Sequence, residues 1–182
     1  LGLDEHDFRI SIAGAQEKTA FLKKADGWHR PLGLTLRIID KLGQETLLGF
    51  DTETRAAFKK DESYSISLLQ LATEKQVYLF RLNKLGLLPE LAALLANQKI
   101  VKSGVAIRDD IKGLKKLYHF QEAGFIELAD MAQNRGIQNF GLRALTAICI
   151  GKKLSKKEKI SNWDRAELTK GQIHYAACDA AV

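Results

Sequence analysis

Asp51 and Glu53 are carboxylates two residues apart at the end of the apolar run Leu47-Leu48-Gly49-Phe50. Side chains alternate between faces in an extended strand, so both carboxylates point the same way. Like charges held on one face disfavour each other's ionisation unless a cation lies between them. Oxygen-only donors of this kind suit hard divalent cations, magnesium or manganese. A lone D-x-E pair at a strand end also fits a solvated strand terminus, so the rest of the chain has to decide.

Two further frames place acidic or phenolic groups where chemistry is feasible. In Lys102-Ser103-Gly104-Val105-Ala106-Ile107-Arg108-Asp109-Asp110 a strand turns into a helix, and Asp110 stands near that helix's start. A carboxylate there also complements the helix macrodipole. Tyr175 and Asp179 are four apart on the closing helix, hence on one face. The small residues around them, Ala176, Ala177 and Ala180, permit close approach of that helix to a sheet.

The bulk properties set bounds on what these residues serve. At 182 residues the chain fits one domain with an appendage. It is 46% hydrophobic and 27% charged, with a net charge of +6 that is compatible with a polyanionic partner. Cys149 and Cys178 show no metal-type spacing with each other or with the histidines and read as reduced thiols. No apolar run reaches the roughly 20 residues needed to span a bilayer, and no basic-then-apolar leader is seen. A cytoplasmic protein with no membrane partner is expected.

In chain order, residues 7–13 alternate as a strand, 19–23 form a second strand-like piece, and a turn follows at 25–28. Leu34, Leu36, Ile38, Ile39 and Leu42 have helical spacing ending at Gly43. A three-strand meander is expected over 51–80, with a turn at 73–76. A helix opened by Pro89, a strand over 99–105, a helix over 109–118 and a short apolar element over 125–131 come next. Residues 141–150 read as a helix stopped by Gly151, followed by the lysines of 152–159. Thr169 and Gln172 announce the last helix with a capping box. Strands followed by mixed strands and helices give an α/β or α+β domain.

Residues 8–20, FRISIAGAQEKTA, resemble the nucleotide-binding loop of HipA-type serine kinases. That resemblance implies an autophosphorylated serine at Ser11 and a phosphate loop over Gly14–Lys18. It stops near residue 33, and no H-x-D-type catalytic loop follows, so kinase activity is not expected. Residues 1–33 are read as an appendage or fusion segment and 34–182 as the main domain.

Phe50-Asp51-x-Glu53-Thr54, then Gly104-Val105-x-Ile107-x-x-Asp110-x-x-x-Leu114, then Tyr175-x-x-x-Asp179 resemble, in that order, the DEDD 3'–5' exonucleases. The tyrosine marks the subtype of ribonuclease D and the Werner-type exonuclease domain. Ser67 to Ala72, Ser161-Asn162-Trp163 and Tyr175 to Ala180 add to the likeness, which covers roughly residues 45–182. It implies an α/β ribonuclease H-like fold, a mixed five-stranded sheet flanked by helices. It assigns Asp51, Glu53, Asp110 and Asp179 to two divalent ions, Mg²⁺ or Mn²⁺, and Tyr175 to orienting the attacking water. It also implies Thr52 and Gln70 in the terminal-nucleotide pocket. Lys112, Lys115, Lys116 and the 152–159 lysines are candidate phosphate contacts, with an ordinary solvated face as the competing reading.

The expected activity is metal-dependent hydrolysis of single-stranded DNA or RNA 3' ends to nucleoside 5'-monophosphates. The alternative is a non-catalytic nucleic-acid-binding module on the same fold. The family's usual first strand has no evident counterpart, so either residues 8–23 supply a substitute hairpin or the sheet lacks an edge. With three residues after Asp179, the last helix is expected to fray, making Asp179 the least ordered ligand.

Overall fold

Alternation and continuous apolar runs dominate the centre of the chain, and they build one sheet. In the computed structural model, which describes residues 9–13, 22–24, 27–29, 32–155 and 157–182, its strands are β1 (Arg9–Ala13), β4 (Leu47–Thr54), β5 (Ile66–Ala72), β6 (Gln76–Phe80), β7 (Val101–Gly104) and β8 (Phe125–Glu127). β2 (Leu22–Lys24) and β3 (Gly27–His29) pair antiparallel in a separate two-stranded sheet. The order in the large sheet is β1-β6-β5-β4-β7-β8. β4 is central, antiparallel to β5 and parallel to β7.

The expected meander is present as β4, β5 and β6, and β4 through β8 form the expected mixed five-stranded sheet. A sixth strand is added to it. β1 pairs in parallel with β6, Arg9 opposite Gln76 through Ala13 opposite Phe80. Part of the N-terminal segment thus fills the edge, as a single strand rather than a hairpin. Gly14–Lys18, the stretch that resembles a phosphate loop, lies outside the described residues.

The helices are α1 (Leu32–Leu42), α2 (Leu82–Leu85), α3 (Pro89–Leu95), α4 (Arg108–Leu117), α5 (Leu128–Asn134), α6 (Leu142–Ile150) and α7 (Lys170–Ala181). The apolar element expected over 125–131 divides, because Glu127 accepts a hydrogen bond from the Ala129 amide and so caps α5. One face of the sheet packs Leu48, Phe50, Leu69 and Leu71 against Ile39, Leu91, Leu95, Ile111 and Leu114 of α1, α3 and α4. The other packs Leu68, Ala72, Val77 and Leu79 against Trp163 and Ala176, Ala177 and Ala180 of α7. Every residue of β5 is buried, as a strand covered on both faces requires.

Candidate active site

Three elements converge at the carboxyl end of β4. Asp51 and Glu53 alternate with Phe50 and Thr52, so the two acids share the face covered by α7 while Phe50 enters the opposite core. α7 lies close because Gly49 has no side chain: a Cβ there would meet the carbonyl oxygen of Ala180 at 1.9 Å. The Thr169 hydroxyl accepts from the Gln172 amide at 3.1 Å, and the Gln172 side chain accepts from the Thr169 amide at 3.0 Å. The Gln172 amide group also donates to Ser161 Oγ and the Asn162 carbonyl, tying the helix start to the preceding loop. Trp163 is fully buried with its ring 6.1 Å from that of Tyr175.

Asp51, Glu53 and Asp179 each offer a carboxylate oxygen within 4.8 Å of the others. Asp110, in the first turn of α4, stands beside this trio and accepts a hydrogen bond from the Thr52 hydroxyl. The turn that delivers it is held from a distance. Glu127 accepts from the amides of Ala106 at 2.8 Å and Ile107 at 2.9 Å. Ala106 has a positive φ of 63°, a left-handed conformation unusual for a residue with a Cβ. Gly104 is needed just before it, since a Cβ there would meet the Phe50 carbonyl at 2.3 Å.

The electrostatics are those of crowded acids. Burial, then the charges of Asp179 and Asp110, push the Asp51 carboxyl well above the usual carboxylate range. Glu53 is pushed up to about 10 by burial, then by Asp51, Asp179 and Asp110, with Lys159 pulling the other way. Asp179 rises to about 6 through burial, partly offset by the hydrogen bond that the Tyr175 hydroxyl donates to it. Asp110 is raised by burial, with the Thr52 hydrogen bond opposing. Burial and the charges of Asp179 and Glu53 raise the Tyr175 phenol. Among the described residues no lysine or arginine lies within ion-pair distance of the trio. Three oxygen donors crowded this closely fit a divalent metal ion.

A cleft of about 760 Å³ opens in front of these groups. Asp51, Thr52, Glu53, Tyr175 and Asp179 line it, together with Ala106, the loop 138–141, Arg143, Ser155 and Lys159. The other expected contacts lie elsewhere. Lys112 pairs with Asp109 at 2.8 Å and Lys115 with Glu122 at 2.6 Å, and neither these nor Lys116 lines the cleft. Gln70 is fully buried directly across from Asp51 in the sheet, and neither side-chain amide atom has a partner among the described residues. Sequence reading missed Arg143, Phe140 and Glu127; a lone arginine, a loop phenylalanine and a contact across 20 residues carry no local signal.

A central strand bearing D-x-E, flanked by an antiparallel meander and parallel strands, with further acids from α4 and α7, defines a ribonuclease H-like nuclease domain. A family model described as 3'-5' exonuclease matches residues 34–182, and the chain belongs to that family. It is 32% identical over 146 residues to the bifunctional 3'-5' exonuclease/ATP-dependent helicase WRN of Mus musculus, covering 77% of this chain and 10% of that protein. Ribonuclease D of Acidiphilium cryptum is 27% identical over 146 residues, 78% of this chain and 36% of the relative. The chain thus spans well under half the length of these two relatives. The Aedes aegypti Nibbler EXO domain superposes with a TM-score of 0.75 at 23% identity, over 99% of this chain and 85% of that one. That likeness shows the fold. Among the described residues no helix is long and apolar enough to cross a membrane.

Proposed function

We infer that residues 34–182 form a metal-dependent exonuclease domain that removes nucleotides from single-stranded 3' ends of DNA or RNA. The observation that carries this reading is the crowding of Asp51, Glu53 and Asp179 at the floor of an open cleft. With Asp110 beside them, these acids would hold two divalent cations, Mg²⁺ or Mn²⁺. Such cations supply positive charge that acidifies the nucleophilic water and offsets charge on the leaving oxygen. A solved relative of the same fold, Trypanosoma brucei RNase D, is described in complex with RNA U12.

The chain's own groups take distinct parts. Water attacks the terminal phosphorus, the bond to the preceding 3'-oxygen breaks, and a nucleoside 5'-monophosphate leaves beside a new 3'-hydroxyl. Tyr175 keeps its proton, because its raised pKa and its hydrogen bond to Asp179 both favour the neutral phenol. It therefore orients the water and does not deprotonate it. Thr52 fixes Asp110 and through it the α4 side of the site. Gln70, buried beside Asp51 on the same face of the sheet, would act through Asp51, with no direct contact to the nucleotide.

The test is digestion of 3'-labelled and 5'-labelled oligonucleotides with Mg²⁺ or Mn²⁺, alongside Asp51→Ala. Stepwise shortening from the 3' end in the parent alone is expected. Oligonucleotide binding in EDTA without shortening in Mn²⁺ would identify the non-catalytic module instead.

A further inference from the structure

α4 begins on a residue that cannot cap it. Ile107 stands at the N-cap, and its apolar side chain makes no capping hydrogen bond. Counted from there, Asp110 is the third helical residue. From that position an acidic side chain ordinarily reaches back to the N-cap amide and closes the first turn. Asp109, one residue earlier, is paired with Lys112.

Asp110 does not need to reach back, because the Ile107 amide already has a partner. Glu127 Oε2 accepts from it at 2.9 Å, while Oε1 accepts from the amides of Ala106 at 2.8 Å and Ala129 at 3.1 Å. One carboxylate thus serves the starts of both α4 and α5. The exposed pair Arg108–Asp130, at 2.7 Å, joins the same two turns. Asp110 instead accepts from the Thr52 hydroxyl, and its charge is felt at Asp51 and Glu53. Burial is the main influence raising the Asp110 carboxyl, and the Glu127 charge ranks behind it, the Thr52 bond and Asp109. What Glu127 supplies is geometry.

We propose that Glu127 is a positioning residue for Asp110. By occupying the Ile107 amide from another element, it relieves Asp110 of capping its own helix and leaves that carboxylate turned towards Asp51 and Glu53. This rests on the metal-dependent reading of Asp110 and deepens it, since metal affinity then depends on a side chain that touches neither metal nor substrate. Without Glu127 the start of α4 is still capped, now by Asp110, so the fold persists while the site loses a ligand.

The experiment is a double-mutant cycle of Glu127→Ala and Asp110→Ala, which isolates the coupling between the two carboxylates. Titration calorimetry with Mn²⁺ alone should show binding to Glu127→Ala weakened about tenfold or more, the scale for a residue that orients a metal ligand. Urea unfolding in EDTA reads the same exchange without metal. Asp110→Ala should lower the urea midpoint more in the Glu127→Ala background than in the parent, because only there does it remove a helix cap. Hydrogen exchange locates the cap. The Ile107 amide should stay protected in Glu127→Ala and lose protection in the double variant, whereas the Ala106 amide loses it in both. Should Glu127→Ala not fold, Glu127→Gln, which keeps one carbonyl acceptor, carries the same cycle.

Unchanged Mn²⁺ affinity in Glu127→Ala would overturn the proposal, and so would equal midpoint shifts for Asp110→Ala with and without Glu127. A parent that neither binds Mn²⁺ nor shortens an oligonucleotide would instead overturn the exonuclease reading, while the metal-free cycle still decides whether Glu127 directs Asp110.

Discussion

Among the described residues, buried cations and buried acids are handled in opposite ways in different regions of the molecule. Arg81, at the end of β6, is 1% exposed, and its guanidinium donates to the carbonyls of Arg165, and of Ala166 at 3.0 Å. Lys102, in β7, is fully buried, with Nζ donating to the carbonyls of Asn97 at 2.8 Å and Ile100 at 2.9 Å and lying 5.0 Å from the centre of the Phe125 ring. Burial lowers the Lys102 pKa to about 8, yet its partners are fixed parts of the chain. At the end of β4, by contrast, Asp51, Glu53 and Asp179 face one another. Charge that the chain satisfies itself holds the fold; charge left to repel suits a ligand from solution.

The largest effect expected from this contrast follows Glu53→Gln. Activity should fall roughly 10³-fold, the scale of several kcal/mol of lost charge stabilisation. The metal-free variant should at the same time melt higher than the parent at pH 8. The folded-state pKa of Glu53, about 10, lies above its ordinary 4.5, so the folded protein binds more protons between these values. Its contribution to stability is therefore greatest below about pH 4.5 and is lost as pH rises towards 10. Melting curves in EDTA from pH 5 to 9 should fall for the parent and flatten in the variant, and Mn²⁺ should stabilise the parent more. A parent curve that is flat with pH would remove the distinction between the two regions.

Arg81→Met should do the reverse. Removing the guanidinium strands two buried carbonyls, at a cost of about 2–4 kcal/mol. Urea unfolding reads the loss, while the Mn²⁺ concentration for half-maximal activity at low temperature should stay near that of the parent. A shift in metal requirement that exceeds the stability loss would mean that Arg81 serves the site as well as the fold.

These contrasts divide along what local sequence encodes. The shared face of Asp51 and Glu53 follows from strand period alone, and the Thr169–Gln172 box sets where α7 begins, so the acids were legible before any tertiary contact was known. Their setting was not. That α7 lies on Gly49, that Glu127 holds the Ala106 and Ile107 amides, and that Arg143 is tied to Leu154 are contacts between distant segments. Gln70 shows the same gap: resemblance placed it in a nucleotide pocket, whereas β5 buries it beside Asp51, outside the residues that line the cleft. Lys112 and Lys115 appeared available as phosphate contacts because their carboxylate partners were invisible in a basic chain.

Gly49→Ala sharpens the comparison from the acid side. A Cβ there meets backbone, which cannot swing aside as a flexible side chain can, so α7 must shift from β4. Overpacking of this kind costs about 1–3 kcal/mol. Because α7 carries Tyr175 and Asp179, activity should fall further than stability explains, and the Mn²⁺ requirement should rise. A variant that loses stability and activity in proportion would show that close approach serves packing alone.

The smallest effect is expected at Ala106, whose φ of 63° a glycine adopts without strain. Ala106→Gly should leave the two hydrogen bonds to Glu127 intact, since both run through backbone amides. Relief of local strain and the greater freedom of glycine in the unfolded chain oppose each other, leaving a stability change under about 1 kcal/mol. Activity is the sharper readout. If Glu127 alone holds the turn that presents Asp110, kcat and the metal requirement stay at the parent's values. If the methyl of Ala106, a residue of the cleft lining, also limits the turn's excursions, kcat falls while the melting temperature does not. The second result would place the rigidity of this turn with the carboxylates, as part of what the site needs and the fold does not.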